Sequence, residues 1–327
     1  MPEWFVETGI GEARAALVED GRIVEARIEP DGTIPAGTIL EARLVDSGSS
    51  DRNGVARDES KIDYLLPLVP RDITEGGVLN IEVTRPAIPG AEPWKRPVAK
   101  ATRDDRRRPR SLAERLSAGG MPVRPLAFPA ARDELAEAGW NDLIDEARSG
   151  RVDFGGGSLS IFVTPAMTLV DVDGGLAPAD LAIAGASAAA EAIRRLDITG
   201  SIGIDLPTVS GKAARQSIAD AVDAILPQPF ERTGVNGFGF LQIVRPRVRA
   251  SLLELAQDRA AFEARALLRS AAFEPGGPKR LVGHPAVIAI VERRPDWLDT
   301  LARQVGGLIT LRSDASIPIH GAYAEKG

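Results

Sequence analysis

The chain contains no cysteine. Disulfides, thiolate zinc sites, iron–sulfur clusters and cysteine nucleophiles are therefore excluded together, and the composition suits a reducing cytoplasm. Only two histidines occur, His284 and His320. A metal centre built on imidazole is not expected, and any bound metal would be a hard cation on oxygen ligands. Aromatic residues make up 5% of the chain, which leaves Ala, Val, Ile and Leu to build the core. No apolar run is long enough to span a bilayer: the best, at 181–193, is short and alanine-rich and ends in Arg194 and Arg195. The opening MPEWFVETGIGEARA lacks the basic start and apolar run of a signal peptide. These absences predict a cytoplasmic location and no membrane partner.

What is present describes a folded protein. With 44% hydrophobic and 26% charged residues the chain can bury a core, and 327 residues favour more than one subdomain. Charge is unevenly spread. Residues 95–115 hold nine Lys or Arg against three Asp or Glu, a net +6, so with −6 overall the remainder carries −12. Such a segment is either a solvated linker or an arm that binds an anionic partner.

Periodicity divides the chain. GEARAALVEDGRIVEARIEP places two alternating runs around Asp20-Gly21, a strong hairpin signal. GTILEARLV, YLLPLVP and GGVLNIEVTRP continue as short strands, which suggests a small barrel or a strongly twisted sheet. Between Pro86 and Pro129 periodicity fades into an irregular connection with one short helix near 111–118. A helix is expected at 131–149, stopped by Gly150. Strands at 159–163, 167–172, 201–206 and 239–244 then alternate with helices at 181–196, 212–225 and 252–272, as in a helix-covered sheet. The tail reads as strand 286–290, helix 296–305 and strand 307–312, after a hinge at 274–279. The expected class is mixed α/β with several subdomains.

Residues 168–175 read TLVDVDGG. Aspartates and glycines make ordinary turns, which is one reading. The other is that Asp171 and Asp173 end a strand to hold a metal ion, while the glycines clear room for a substrate. Asp205 lies in a second expected strand one helix later, and a strand–helix–strand unit returns its second strand beside its first. Carboxylates held close repel unless protonated or bridged by a cation. Mg²⁺ suits them, because it takes few protein ligands and keeps waters for substrate phosphate.

FLQIVRPRVRASLLE places Arg245, Arg247 and Arg249 at alternate positions after a strand. They could be a solvated strand end or a row of guanidinium forks for phosphate. Acids and an arginine row on neighbouring strand ends would be working parts for phosphodiester hydrolysis. Ser210-Gly211-Lys212-Ala213 is not a P-loop, and FGGGS at 154–158 fits a flexible turn better than a dinucleotide site. His284, before a proline, fits a turn or packing role, and His320 has no evident partner.

The order GGSLSIFVTPAMTLVDVDGG, AAAEAIRRLDITGSIGIDLP, ERTGVNGFGFLQIVRPRVRASLLE, from Gly156 to Glu254, resembles the catalytic core of the ribonuclease E/G family. EARAALVEDGRIVEARIE resembles that family's opening hairpin and GHPAVIAIVERRPDWLDTLARQVGGLITLRSDASIPIHGAY its small C-terminal domain. The chain is similar in its brevity to the stand-alone branch called ribonuclease W. The resemblance implies five segments: an N-terminal β hairpin packing on the core (1–35), an S1-like RNA-binding barrel (36–95), a basic irregular connection (96–130), an RNase H-like or DNase I-like α/β catalytic core (131–273), and a small C-terminal α/β domain (274–327). It implies an endoribonuclease that cuts single-stranded RNA in RNA processing or degradation, leaving 5′-phosphate and 3′-hydroxyl ends. Asp171 and Asp205 inherit the binding of Mg²⁺ or Mn²⁺, Arg245 and Arg247 contact phosphate, and a homodimer is expected.

Departures accompany the likeness. Asp173 stands where the family has Asn, so it would be a third ligand or a water-orienting base. Leu206-Pro207-Thr208 replaces Phe-Ile-Asp after the second aspartate. The cysteine pair that links subunits through zinc is missing, and no 5′-monophosphate pocket is legible between Arg96 and Leu126. RNGVARDESKIDYLLP lacks the family's aromatic on the first of these barrel strands, leaving Tyr64 and Arg57 as substitutes. Arg106, Arg107, Arg108, Arg110, Lys212 and Arg249 complete the expected RNA contacts. Two alternatives stand beside this reading. One is an RNA-binding regulator without chemistry. The other is a nuclease that uses arginines, Lys212 or the histidines in place of the aspartates.

Overall fold

The computed structural model describes residues 1–49, 53–89 and 95–327. Three strands open the chain: β1 (Glu3–Thr8), β2 (Glu12–Glu19) and β3 (Arg22–Pro30). Next come β4 (Ile39–Asp46), β5 (Gly54–Asp58), β6 (Asp63–Leu66), β7 (Val78–Arg85) and β8 (Val98–Thr102). They are followed by α1 (Leu112–Ser117), β9 (Val123–Leu126), α2 (Glu134–Glu137) and α3 (Trp140–Ser149). The central region runs β10 (Arg151–Phe154), β11 (Gly157–Val163), β12 (Thr168–Gly174), α4 (Pro178–Arg195), β13 (Gly200–Asp205), α5 (Lys212–Ile225), β14 (Glu231–Arg232) and β15 (Phe240–Arg245). The last part holds α6 (Leu252–Gln257), α7 (Arg259–Phe273), β16 (Lys279–Gly283), α8 (Pro285–Glu292), α9 (Pro295–Val305), β17 (Ile309–Ser313) and β18 (Tyr323–Lys326). The fold is mixed α/β, and no helix among the described residues is long and apolar enough to cross a membrane.

Two compact units emerge, each discontinuous in sequence. The first comprises residues 1–31, 112–149 and 255–327, the second 32–111 and 150–254. In the first, Asp20 and Gly21 adopt φ of 50° and 77° and close the expected β2–β3 hairpin, as its right-handed twist requires. The sheet order is β3-β2-β1-β9, and Trp4, Val6, Ala15 and Leu17 pack on Leu112 and Leu116 of α1. The tail forms a separate sheet, β17-β16-β18.

The tail corrects one expectation. Residues 286–290 form not a strand but part of α8, because His284 caps that helix by accepting from the Ala286 amide at 3.2 Å, and Pro285 occupies its first turn. A short apolar run fits either state, and its cap decides. The strand lies earlier, at β16, which begins at Lys279, the last residue assigned to the hinge. Other expected helices are interrupted. Gly139, at φ 102°, separates α2 from α3, and Asp258 caps α7 after α6.

In the second unit, β4-β5-β6-β8-β7 close into a barrel around Leu44, Ala56, Tyr64, Leu66, Ile81, Val83 and Ala99. Its fifth strand, β8, comes from the segment expected to be irregular, as β9 does in the first unit. Both are too short, and too crowded by proline and arginine, for alternation to show. Residues 90–94 of that segment lie outside the described residues.

Charge, not only apolar surface, welds the three segments of the first unit. Arg14 is within 2.8 Å of Glu7 and 2.7 Å of Glu12; Arg265 meets Glu12 at 2.7 Å; Arg269 meets Glu7 at 2.9 Å and Asp133 at 2.7 Å. All but Asp133 are buried. Burial opposes the Arg269 charge, but Asp133 and Glu7 outweigh it and raise its pKa. Burial likewise works against the Asp133 carboxylate, yet Arg269 and the Ala136 amide win and lower its pKa.

Removing one partner leaves the others charged and buried. Arg269→Ala is expected to lower the unfolding free energy by about 3–5 kcal/mol, read from urea denaturation. A depressed folded pKa stabilises above the ordinary aspartate value of about 3.9 and ceases to do so as pH falls through the folded value. The urea midpoint should therefore drop on acidification below that range, and drop less in Asp133→Asn.

Candidate functional site

The second unit carries a six-stranded sheet in the order β10-β11-β12-β13-β15-β14. Alternation along its strands gives it two unlike faces. Val170, Val172, Ile202, Ile204, Leu241 and Ile243 are buried on the face against which α4 packs, with α5 in turn against α4. Gly185 of α4 permits a close approach, since a Cβ there would lie 2.3 Å from Val172 Cγ1. The opposite face bears Ser158, Ser160, Leu169, Asp171, Asp173, Asp205, Phe240 and Gln242, all partly or fully exposed.

Strands β12 and β13 are parallel, with Asp171 directly opposite Asp205. Antiparallel β11 sets Ser160 opposite Asp171 and Ser158 opposite Asp173. The sequence expectation that the helix returns the second acid beside the first is met in register. Burial raises the Asp171 pKa, and the charges of Asp173 and Asp205 and a hydrogen bond with Asp173 add to the shift. Among the described residues no group of three or more acidic or imidazole side chains converges to hold a metal. Two carboxylates are nevertheless what Mg²⁺ takes from a protein when water and phosphate fill its remaining positions, and a cation relieves the repulsion that raises the Asp171 pKa. Asp171 and Asp205 are the pair that could hold such an ion.

Two helices begin beyond the same strand ends. After β12 comes α4, whose N-cap Ala177 supplies no side-chain bond. After β13 comes α5, with Gly211 at φ 89° as N-cap, again without a side-chain bond, and Lys212 as its first residue. Each helix start carries a partial positive charge and follows, in sequence, a strand that bears one of the acids.

No family model matches this chain, and no curated protein matches it.

The arginine row lies elsewhere. Strand β15 runs antiparallel to β13, pairing Phe240 with Asp205 and Arg245 with Gly200, so Arg245 sits roughly 17 Å from Asp205 at the usual strand rise. The expectation of neighbouring strand ends presumed a parallel β15. All three arginines have internal partners. Arg245 Nη1 donates to the Ile198 carbonyl at 2.7 Å. Arg247 pairs with Glu254, whose carboxylate also accepts from the Ser251 amide at 2.8 Å in a capping box. Arg249 grips buried Asp197 with two bonds. They fasten the turn between α4 and β13 and the start of α6.

The barrel arginines do converge. Arg57, Arg106, Arg107 and Arg108 line one groove of about 570 Å³ together with Arg43, and Glu41, Asp58 and Glu59 are the acids in its lining. The excess is cationic. Arg57 is held by Asp63 at 2.6 and 3.1 Å, and Arg106 pairs with Glu41. Arg107 joins the sheet through a backbone bridge to Ile39. Arg110 is exposed and outside this lining.

Tyr64 corrects another expectation: it is 1% exposed and donates to Asp58 Oδ2 at 3.2 Å. Burial, with Asp58 beside it, pushes the phenol pKa well up. It belongs to the barrel core and offers no stacking surface. In so short a strand the sequence does not show which residues face in. Conversely, Phe238 escaped notice, although it is 85% exposed in the loop that leads to Phe240. Its sequence signal was slight: a second aromatic two residues before a strand's first.

Asp205→Asn removes one repelling carboxylate. In EDTA it should raise the thermal midpoint by roughly 1–3 °C, since exposed charge contacts are worth under about 1 kcal/mol. Mg²⁺ should then raise the midpoint of the wild type and not of the variant. A raised folded pKa means that stability falls as pH rises through the interval above the ordinary aspartate value, and Asp205→Asn should flatten that fall.

Proposed function

We propose that the chain is an endoribonuclease acting on single-stranded RNA, with its reaction centre at the ends of β12 and β13. The observation that carries this reading is the in-register pair Asp171–Asp205 on the partly exposed sheet face. The substrate class comes from the likeness of residues 156–254 to the ribonuclease E/G family, which also brings the S1-like character of the barrel, the RNase H-like or DNase I-like core and the homodimer.

Asp171 and Asp205 would hold Mg²⁺ or Mn²⁺, which supplies charge for activating water and neutralising phosphate oxygens. Asp173, hydrogen-bonded to Asp171, is suited to take the proton of the attacking water. Lys212 and the first amides of α5 are suited to the phosphate, a role that Arg245 and Arg247 leave vacant by bonding internally. Arg245, Arg247 and Arg249 act as positioning residues, holding the α4–β13 turn. The product ends would be 5′-phosphate and 3′-hydroxyl. The arginine groove of the barrel would guide the strand through backbone contacts. That groove also favours a second reading, an RNA-binding protein without turnover.

A 5′-labelled single-stranded RNA decides between them. Cleavage in Mg²⁺, its loss in EDTA, and a fall of about 10²–10³ in rate for Asp171→Asn and Asp205→Asn are expected. Cleavage that survives EDTA or both substitutions would move the chemistry elsewhere, and binding without cleavage would favour the second reading. Independently, Arg57→Ala and Arg106→Ala should each weaken binding and reduce the salt slope by about 0.7 for each phosphate no longer neutralised, measured by fluorescence anisotropy.

A further inference from the structure

The loop between β14 and β15 holds an apolar ring in water on a backbone pinned by hydrogen bonds. Asn236 Oδ1 accepts from the Phe238 amide at 2.9 Å and from the Phe240 amide at 3.0 Å. The Asn236 amide donates to the Phe240 carbonyl at 3.0 Å. Thr208 Oγ1 donates to the Phe238 carbonyl at 3.2 Å, and the Leu206 amide to the Gly239 carbonyl at 3.2 Å. Gly239, at φ 92°, has no room for a side chain, because a Cβ would lie 2.2 Å from the Leu206 oxygen. The loop is thus stitched to residues 206–208, the three that follow Asp205.

Its neighbour Phe240 is differently employed. Phe240 lies opposite Asp205 in the sheet and lays its ring on Gly203, where a Cβ would meet Cζ at 2.4 Å. One ring therefore packs on the sheet beside the acids while the other, two residues away, stays 85% exposed. Along the chain Phe238 can be no more than about 7 Å from Phe240. An exposed ring on a hydrogen-bonded backbone, two residues from the partner of Asp205, is suited to the flat face of a nucleobase, which gains by stacking whatever its identity.

We propose that Phe238 is a stacking platform for the base adjoining the phosphate bound at Asp171–Asp205, and that it selects single-stranded over paired RNA. The proposal rests on the nuclease reading and deepens it. A base inside a duplex already stacks on its neighbours and gains nothing from the ring, whereas an unpaired base exchanges water for it.

The test uses the full chain with both acids intact and Phe238, Phe238→Ala or Phe238→Trp, with Ca²⁺ in place of Mg²⁺ so that the carboxylates keep a cation while cleavage is slowed. Binding of a fluorescent 12-nucleotide single strand and of its duplex is followed by anisotropy, and gels confirm that the RNA is intact. Phe238→Ala should weaken single-strand binding about 5- to 100-fold, the range for one stacked base, and leave duplex binding unchanged. Phe238→Trp should retain the affinity, and RNA should quench the added indole fluorescence. Equal single-strand affinity in all three overturns the platform, while Asp171- and Asp205-dependent cleavage by the otherwise native chain would keep the nuclease reading. Loss of self-association in Phe238→Ala without a change in RNA affinity would assign the ring to a contact between copies and overturn the proposal. Failure of the native chain to bind single-stranded RNA overturns both.

Discussion

Two carboxylates in register on adjacent parallel strands repel each other, and the second unit is arranged so that the repulsion persists. Strand β13 cannot slip from β12, because α4 joins them and lies against Val172 through Gly185. A shift of one residue would also exchange the buried Ile202 and Ile204 for the residues of the exposed face. The chain thus fixes Asp171 against Asp205 by packing on the covered face, while the open face carries the electrostatic cost. An arrangement of this kind, stable behind and strained in front, is characteristic of sites tuned for charge.

The arginines after β15 belong to that constraint. Arg249 holds Asp197 at the turn that ends α4, Arg245 bonds carbonyls near it, and Arg247 is tied to the capping box of α6. Arg245 and Arg249 thus tie the entry to β13, the strand whose far end carries Asp205. A row of alternating arginines reads in sequence as a ligand surface. In the fold Arg245 bonds backbone carbonyls, and Arg247 and Arg249 pair with Glu254 and Asp197.

How much was legible followed from the range of the interaction that decides each element. The Asp20-Gly21 hairpin and the strand–helix–strand unit bearing Asp171 and Asp205 are local, and both were readable. The closed barrel was readable only as one of two options, since β8 is a short strand amid prolines and arginines. The direction of β15 depends on a partner strand distant in sequence, and misjudging it displaced Arg245 and Arg247. The inward face of Tyr64 depends on barrel closure, and the helical state of 286–290 on a histidine cap. The network joining Glu7, Glu12 and Arg14 to Arg265 and Arg269 spans most of the chain, and no local pattern announces it.

Tyr64 has a wider consequence for recognition in the second unit. With that ring inside the barrel, the arginine groove is lined, among the described residues, by charge and by Ile34, Ile39, Leu40 and Val78, with no aromatic. On the nuclease proposal such a groove would attract phosphates of either a single strand or a duplex, because backbone charge is common to both. Strand selectivity would then have to come from a group that only an unpaired base can satisfy. Phe238 has the required exposure and a fixed backbone, and it lies on the edge where the acids lie. The barrel would supply affinity that salt can erase, and the loop before β15 would supply the discrimination that salt cannot.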